Sequence, residues 1–274
     1  MSPGLAEHRI AEYFYQSLVI RDFQRALETP GKLLGQQGVN AMLLSAMLLN
    51  MIAFTLPQDP SGVENDPRSS WVFSSREDRL GWLTLQTGIR PLIQSLSAYM
   101  EKTVGFLDPI MFGHRRAGWT DARKPQSLDI VPVTWVRAFK LKNDSSSCDS
   151  NADADPNDVL RPATIALAYL RAIDPSQSRV FLNLMFLTKI HGDFRYLLYS
   201  NDERALWLFG YWLGLMCRYE GIWWCEQRVR RDYQAVCMWL DTLQLSKRAG
   251  DDRFCWDHMM RELKQAPAFM AKEH

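Results

Sequence analysis

Apolar residues recur along this chain at three- and four-residue intervals, the spacing that gathers side chains on one face of an α-helix. From Leu5 to Leu27, the positions Leu5, Ile10, Phe14, Leu18 and Phe23 fall near one stripe, and Pro30-Gly31 ends the run. A second helix, rich in Leu and Met, is predicted over Val39 to Thr55. Asp59-Pro60-Ser61-Gly62 and Asp66-Pro67 then mark a turn-rich connection. Ser75 followed by Asp78 resembles a capping box with Asp in place of Glu or Gln. The helix it opens should bury Leu80, Leu83, Ile89 and Leu92 and kink at Pro91.

The middle of the chain is less regular. Gly113 to Lys124 is polar, and the β-branched residues between Asp129 and Phe139 suggest one short extended piece. Asn143 to Asp158 holds five Asp and four Ser with no Lys or Arg. Clustered like charge with almost no apolar side chains cannot support packing, so a mobile surface loop is expected there. The alternating Asp149, Asn151, Asp153 and Asp155 suggest a calcium loop, but the Gly and the bidentate Glu of that geometry are missing. Helical spacing returns at Pro162, a residue suited to a first helical position, and Asp174-Pro175 marks the next boundary.

The most informative stretch is Asn201 to Tyr219. It opens with Asn201, Asp202 and Glu203, whose charge suits a helix N-terminus, and is uncharged between Arg204 and Arg218. A helix apolar all round is buried all round, so Ala205 to Cys217 is expected to be the most buried helix. Gly210 and Gly214 lie four apart and would let a neighbour approach closely. Trp223 to Leu243 then sets Cys225, Val229, Tyr233, Val236 and Leu240 on one face. These patterns predict a single all-α domain over residues 1–274, wrapped around one buried central helix.

Composition narrows the function. Lys and Arg total 32 and Asp and Glu 31, a net charge of +1 that argues against broad phosphate-backbone binding. The densest basic cluster, Arg228, Arg230 and Arg231, is offset by Glu226 and Asp232 at four-residue spacing. The stretch Val39 to Leu56 is apolar enough to suggest a membrane helix. Gly35 to Gly38 and the polar Asn40, Ser45 and Asn50 favour a core helix instead, and no membrane span is expected. The five cysteines include no Cys-x-x-Cys pair, and the N-terminus has no secretory pattern, so buried thiols in an intracellular, cytoplasmic protein are expected.

Catalytic signatures are absent: no Gly-x-Ser-x-Gly elbow, no phosphate loop, no His-Glu-x-x-His. Asp251, Asp252 and Asp257 fit the first turns of a helix better than a metal site, and no metal or organic cofactor is expected. His191 is a candidate general acid at a helix end. Ten Trp and twelve Met remain the unusual features. Met42, Met47, Met51, Phe54, Trp207, Trp212 and Met216 are candidates to line an apolar cavity beside the central helix. Tyr211 supplies a polar handle, Arg204 or Arg228 meets a ligand oxygen, and an Arg stacks on Trp223 or Trp224.

The run Glu203-Arg204-Ala205-Leu206-Trp207-Leu208-Phe209-Gly210-Tyr211-Trp212 continues through Cys217-Arg218-Tyr219, and Trp223-Trp224-Cys225-Glu226-Gln227-Arg228-Val229 follows. Together they resemble the C-terminal regulatory region of fungal zinc-cluster transcription factors of the sterol-uptake-control type. Ser70-Trp71-Val72-Phe73, Asp78-Arg79-Leu80-Gly81-Trp82-Leu83 with Gly88, and Asn40 to Phe54 are similar to further stretches of that region. The resemblance implies an all-helical domain that senses a lipid in an apolar pocket, with DNA binding left to a separate six-cysteine cluster. This sequence has no cysteine before Cys148 and no basic arm, so direct DNA binding is not expected. The leading expectation is a stand-alone derivative whose pocket holds a bulky apolar metabolite and promotes a cofactor-free cyclisation. A ligand-sensing regulatory domain, nuclear in that case, is the alternative, and a purely structural scaffold the third. A homodimer is compatible with each.

Overall fold

The computed structural model describes residues 3–55, 63–100, 102, 127–141, 156–176, 180–190, 192–247 and 251–269. Among these the regular structure is helical throughout, with no strand. The α-helices are α1 (Pro3–Glu28), α2 (Gly31–Phe54), α3 (Gly81–Ser95), α4 (Val133–Ala138) and α5 (Pro156–Arg171). They continue with α6 (Val180–Leu184), α7 (Gly192–Tyr199), α8 (Glu203–Met216), α9 (Glu226–Thr242) and α10 (Asp251–Gln265).

Helix α8 organises the core. Its start is fixed by Asp202, whose carboxylate accepts the backbone N–H groups of Arg204 and Ala205, both at 3.0 Å. From Ala205 to Met216 every residue is buried. The helix is enclosed by α5, α6, α7, α9, α10 and the closing turn Ala266–Ala268. The two glycines allow that enclosure. A β-carbon on Gly210 would lie 2.6 Å from Val236 Cγ1, and one on Gly214 2.6 Å from Ala266 Cβ and 3.1 Å from the Tyr233 ring. A smaller cluster of Val39, Met42, Leu43 and Leu96 joins α2 to α1 and α3.

Several local expectations are corrected. Asp129 to Phe139 is not extended. A turn at Leu128–Ile130 leads into α4, because Leu128, Val131, Trp135 and Phe139 repeat at three- and four-residue spacing and all four are buried. Pro132, at φ −55°, presets the turn, and its carbonyl accepts the Trp135 N–H at 2.9 Å. Ser75 and Asp78 form no capping box. Asp78 is held instead by Arg76 through two bonds of 2.9 and 2.7 Å, and the helix begins at Gly81. Its buried face carries Trp82, Leu83 and Gln86, while Ile89 and Leu92 are half-buried. Helix α5 starts six residues before Pro162, so Pro156 holds the first position and residues 156–158 belong to the helix rather than to a loop. Phe14, expected on a buried stripe, is 63% exposed.

Helix α2 is the one helix among the described residues with the length and hydropathy of a membrane span. It breaks at Gly35, where a φ of 62° favours glycine, and then buries Val39, Met42, Leu43, Ala46, Asn50 and Phe54 while leaving Leu44, Leu48 and Ile52 exposed. The acidic stretch from Asn143 to Asp155, the polar stretch from Gly113 to Lys124, the turn Asp59 to Gly62, Cys148 and His191 lie outside the described residues, as do the side chains of Leu5, Ile10, Asp251 and Asp252.

Candidate functional site

Tyr211 sits at the middle of α8 with its side chain wholly buried. Helical geometry puts Trp207 one turn before it on the same side, and the two rings stack at 5.0 Å between centroids, 20° from parallel. Trp135, carried in by α4, stands edge-on to both rings at 5.1 Å, and Phe139 adds a fourth ring 5.7 Å from Trp207. The indole N–H of Trp207 donates to the Met259 carbonyl at 2.8 Å.

An ion pair closes this aromatic box. Arg171, the last residue of α5, meets Glu262 of α10 at 2.8 Å, with side chains 21% and 13% exposed. The other Glu262 oxygen accepts the Trp135 indole N–H at 2.8 Å, and the Arg171 guanidinium lies over the Trp135 ring at 5.2 Å and the Phe269 ring at 4.7 Å. These contacts fix Trp135 in orientation and leave Arg171 and Glu262 mutually compensated.

One group in the box is not compensated. Among the described residues the Tyr211 hydroxyl has no hydrogen-bond partner. Burial pushes its pKa far above the ordinary phenol value, with the charges of Arg171 and Arg218 opposing and that of Glu262 adding. The phenol is therefore a protonated donor throughout the neutral range. Retaining a hydroxyl here, where Phe would fill the same space, costs about 1–3 kcal/mol of unrecovered desolvation.

The other anticipated residues fall elsewhere. Trp212 and Phe54 pack on the far side of α8, 6.4 Å apart, where Phe54 also meets Trp82 at 5.1 Å and Trp224 at 6.0 Å. Met216 is buried in the same large core and Met51 packs against it. Met42 and Met47 belong to the separate α1–α2–α3 cluster and do not reach Trp207 or Tyr211. Trp223 points outward, 74% exposed. Arg204 folds back onto Asp202 at 3.3 Å, at the start of α8. Arg228 donates through Nε to the Phe54 carbonyl at 2.5 Å and lies 5.0 Å over the Trp82 ring, so it closes the C-terminal end of α2.

Trp135, Arg171 and Glu262 were not singled out from sequence. Trp135 and Phe139 stand four apart, a helical signal obscured by β-branched neighbours. The meeting of Arg171 with Glu262 spans 91 positions, beyond any local pattern. Among the described residues no three His, Cys, Asp or Glu side chains converge as metal ligands. Cys217, Cys225, Cys237 and Cys255 are in no disulfide. Burial pushes Cys217 and Cys225 up to about 12 and Cys237 up to about 11, which leaves them protonated and unreactive. Compared with family models, curated proteins and solved structures, the chain matches none.

Proposed function

We propose that this domain binds a bulky, largely apolar metabolite whose oxygen accepts a hydrogen bond from Tyr211. The observation that carries the reading is the Tyr211 hydroxyl, wholly buried and without a partner among the described residues. A buried donor of this kind is stabilised by any ligand that brings an acceptor and covers the rings around it. Trp207, Trp135 and Phe139 offer flat apolar surface, and the Arg171–Glu262 pair holds Trp135 in place without needing the ligand. The reading fits a ligand-sensing domain of the fungal regulator type that the sequence resembles.

A second reading, cofactor-free cyclisation, draws on the same phenol. A desolvated donor held at a fixed point can polarise a carbonyl and stabilise the charge that develops as rings close, while the box selects one folded conformer. Both readings use Tyr211 and neither requires a metal, a nucleotide or a nucleophile.

The test compares wild type with Tyr211→Phe. Binding of 2-tetralone, a bicyclic ketone, should weaken roughly tenfold in the variant, the effect of losing one well-made bond. Incubation with the metabolite pool of the producing organism separates the two readings. Conversion that Tyr211→Phe slows more than it weakens binding supports the cyclase, and unchanged metabolites that remain bound support the sensor. Equal binding of the ketone by both proteins would overturn the proposal.

A further inference from the structure

The opposite side of α8 holds a second set of unmatched polar atoms. Asp232 of α9 is wholly buried. Its Oδ1 accepts three bonds: from Ser70 Oγ at 2.8 Å, from Arg231 Nε at 2.9 Å and from Arg231 Nη2 at 2.7 Å. Its Oδ2 accepts none among the described residues, and Arg228 Nη1 stands 3.8 Å away. Two donors on the stretch 70–82 that carries Ser70 are also unmatched among the described residues, the indole N–H groups of Trp71 and Trp82. Trp71 follows Ser70 directly, and Trp82 lies under the Arg228 guanidinium at 5.0 Å. Both indoles pack on Phe209, at 5.7 and 6.2 Å.

The chemistry of this seam is selective. A carboxylate ligand could accept from an indole but has no proton to donate, so the second oxygen of Asp232 would stay unmatched. An ammonium would face two N–H donors and the charges of Arg228 and Arg231. An ether or ketone accepts from an indole but leaves Asp232 unmatched. A hydroxyl group does both: it donates to Asp232 Oδ2 and accepts from an indole N–H.

We infer that the seam between residues 70–82 and α9 is a second binding point, specific for a hydroxyl group on an apolar ligand. It does not rest on Tyr211. Phe209 and Tyr211 are two residues apart, about 200° around the helix, so the two sites face opposite ways and each can fail alone. A tightly held water has the same hydrogen-bonding chemistry as a ligand hydroxyl, and the test separates these sources.

Calorimetric titration of the full chain with 2-naphthol and with 2-methoxynaphthalene, its methyl ether, reads the preference directly. The ether keeps the ring and the acceptor and loses only the donor. Wild type should bind the naphthol at least fivefold more tightly. Trp82→Phe, which keeps an aromatic ring and removes the N–H, should weaken the naphthol and reduce the preference, and Asp232→Asn should do the same. Both probes also carry an acceptor for Tyr211, so the titrations are repeated in Tyr211→Phe, where binding in the aromatic box is weakened and the naphthol preference should persist. Should Asp232→Asn fail to fold, Trp82→Phe and Trp71→Phe carry the comparison. A wild-type preference below fivefold, binding of neither compound, or a preference that survives both indole variants would overturn the inference. The first two of those results would assign the seam to water alone.

Discussion

At the scale of single residues, the buried polar groups divide into those that are matched and those that are not. Glu262 is matched on both oxygens, by Arg171 and by the Trp135 indole. Glu262→Gln keeps the shape but leaves the Arg171 charge uncompensated, and breaking a buried pair from one side costs about 3–5 kcal/mol. Discounted for the 21% exposure of Arg171, the expected loss is about 2–3 kcal/mol in urea unfolding. A loss under about 0.5 kcal/mol, the size of an ordinary surface substitution, would show that the pair does not organise the box. Tyr211 was legible in the sequence as an aromatic with a polar tip on an uncharged helix. Its lack of a partner was not, because that depends on Trp135 and α10 arriving from distant parts of the chain.

At the scale of elements, α8 shows what an uncharged run encodes. Its start, its burial and the role of its glycines follow from Asp202, from the absence of a polar face and from the Gly210/Gly214 spacing. Gly214→Ala would place a methyl 2.6 Å from Ala266 Cβ and 3.1 Å from the Tyr233 ring, so the closing turn must shift. Overpacking of this kind costs about 1–3 kcal/mol, despite the better helix propensity of Ala. Thermal unfolding of the variant checks this, and an unchanged or raised Tm would contradict it. Elsewhere propensity misled. Val131, Val133, Thr134 and Val136 favour strand in isolation, but burial of Trp135 and Phe139 at helical spacing decides for α4. Near Ser75 the capping signal failed: Arg76 holds the Asp78 carboxylate and the helix begins only at Gly81.

At the scale of the whole molecule, the helices divide between the large core around α8 and the smaller α1–α2–α3 cluster. That division was not legible in the sequence, since Met42, Met47 and Met51 carry the same kind of side chain and only the third packs against the large core. Global stability also has a pH signature. The thiols of Cys217 and Cys225 are pushed up to about 12 by burial, from an ordinary value near 9. The unfolded chain therefore releases these protons first as pH rises. Their contribution is fully present below pH 9 and is lost between 9 and 12. Urea unfolding should show stability falling across that window, with a shallower fall in the Cys217→Ala/Cys225→Ala protein. Identical slopes in the two proteins would contradict the assignment.

The central claim is that Tyr211 is a buried, protonated donor waiting for an acceptor. Carbon NMR of protein labelled at tyrosine Cζ reads this directly, with Tyr211→Phe identifying the signal. The account predicts a resonance that stays in the phenol form at pH 11, where exposed tyrosines near pKa 10 have ionised, and that shifts when 2-tetralone is added. A Tyr211 signal that titrates near pH 10, or one that the ketone leaves unmoved, would contradict it.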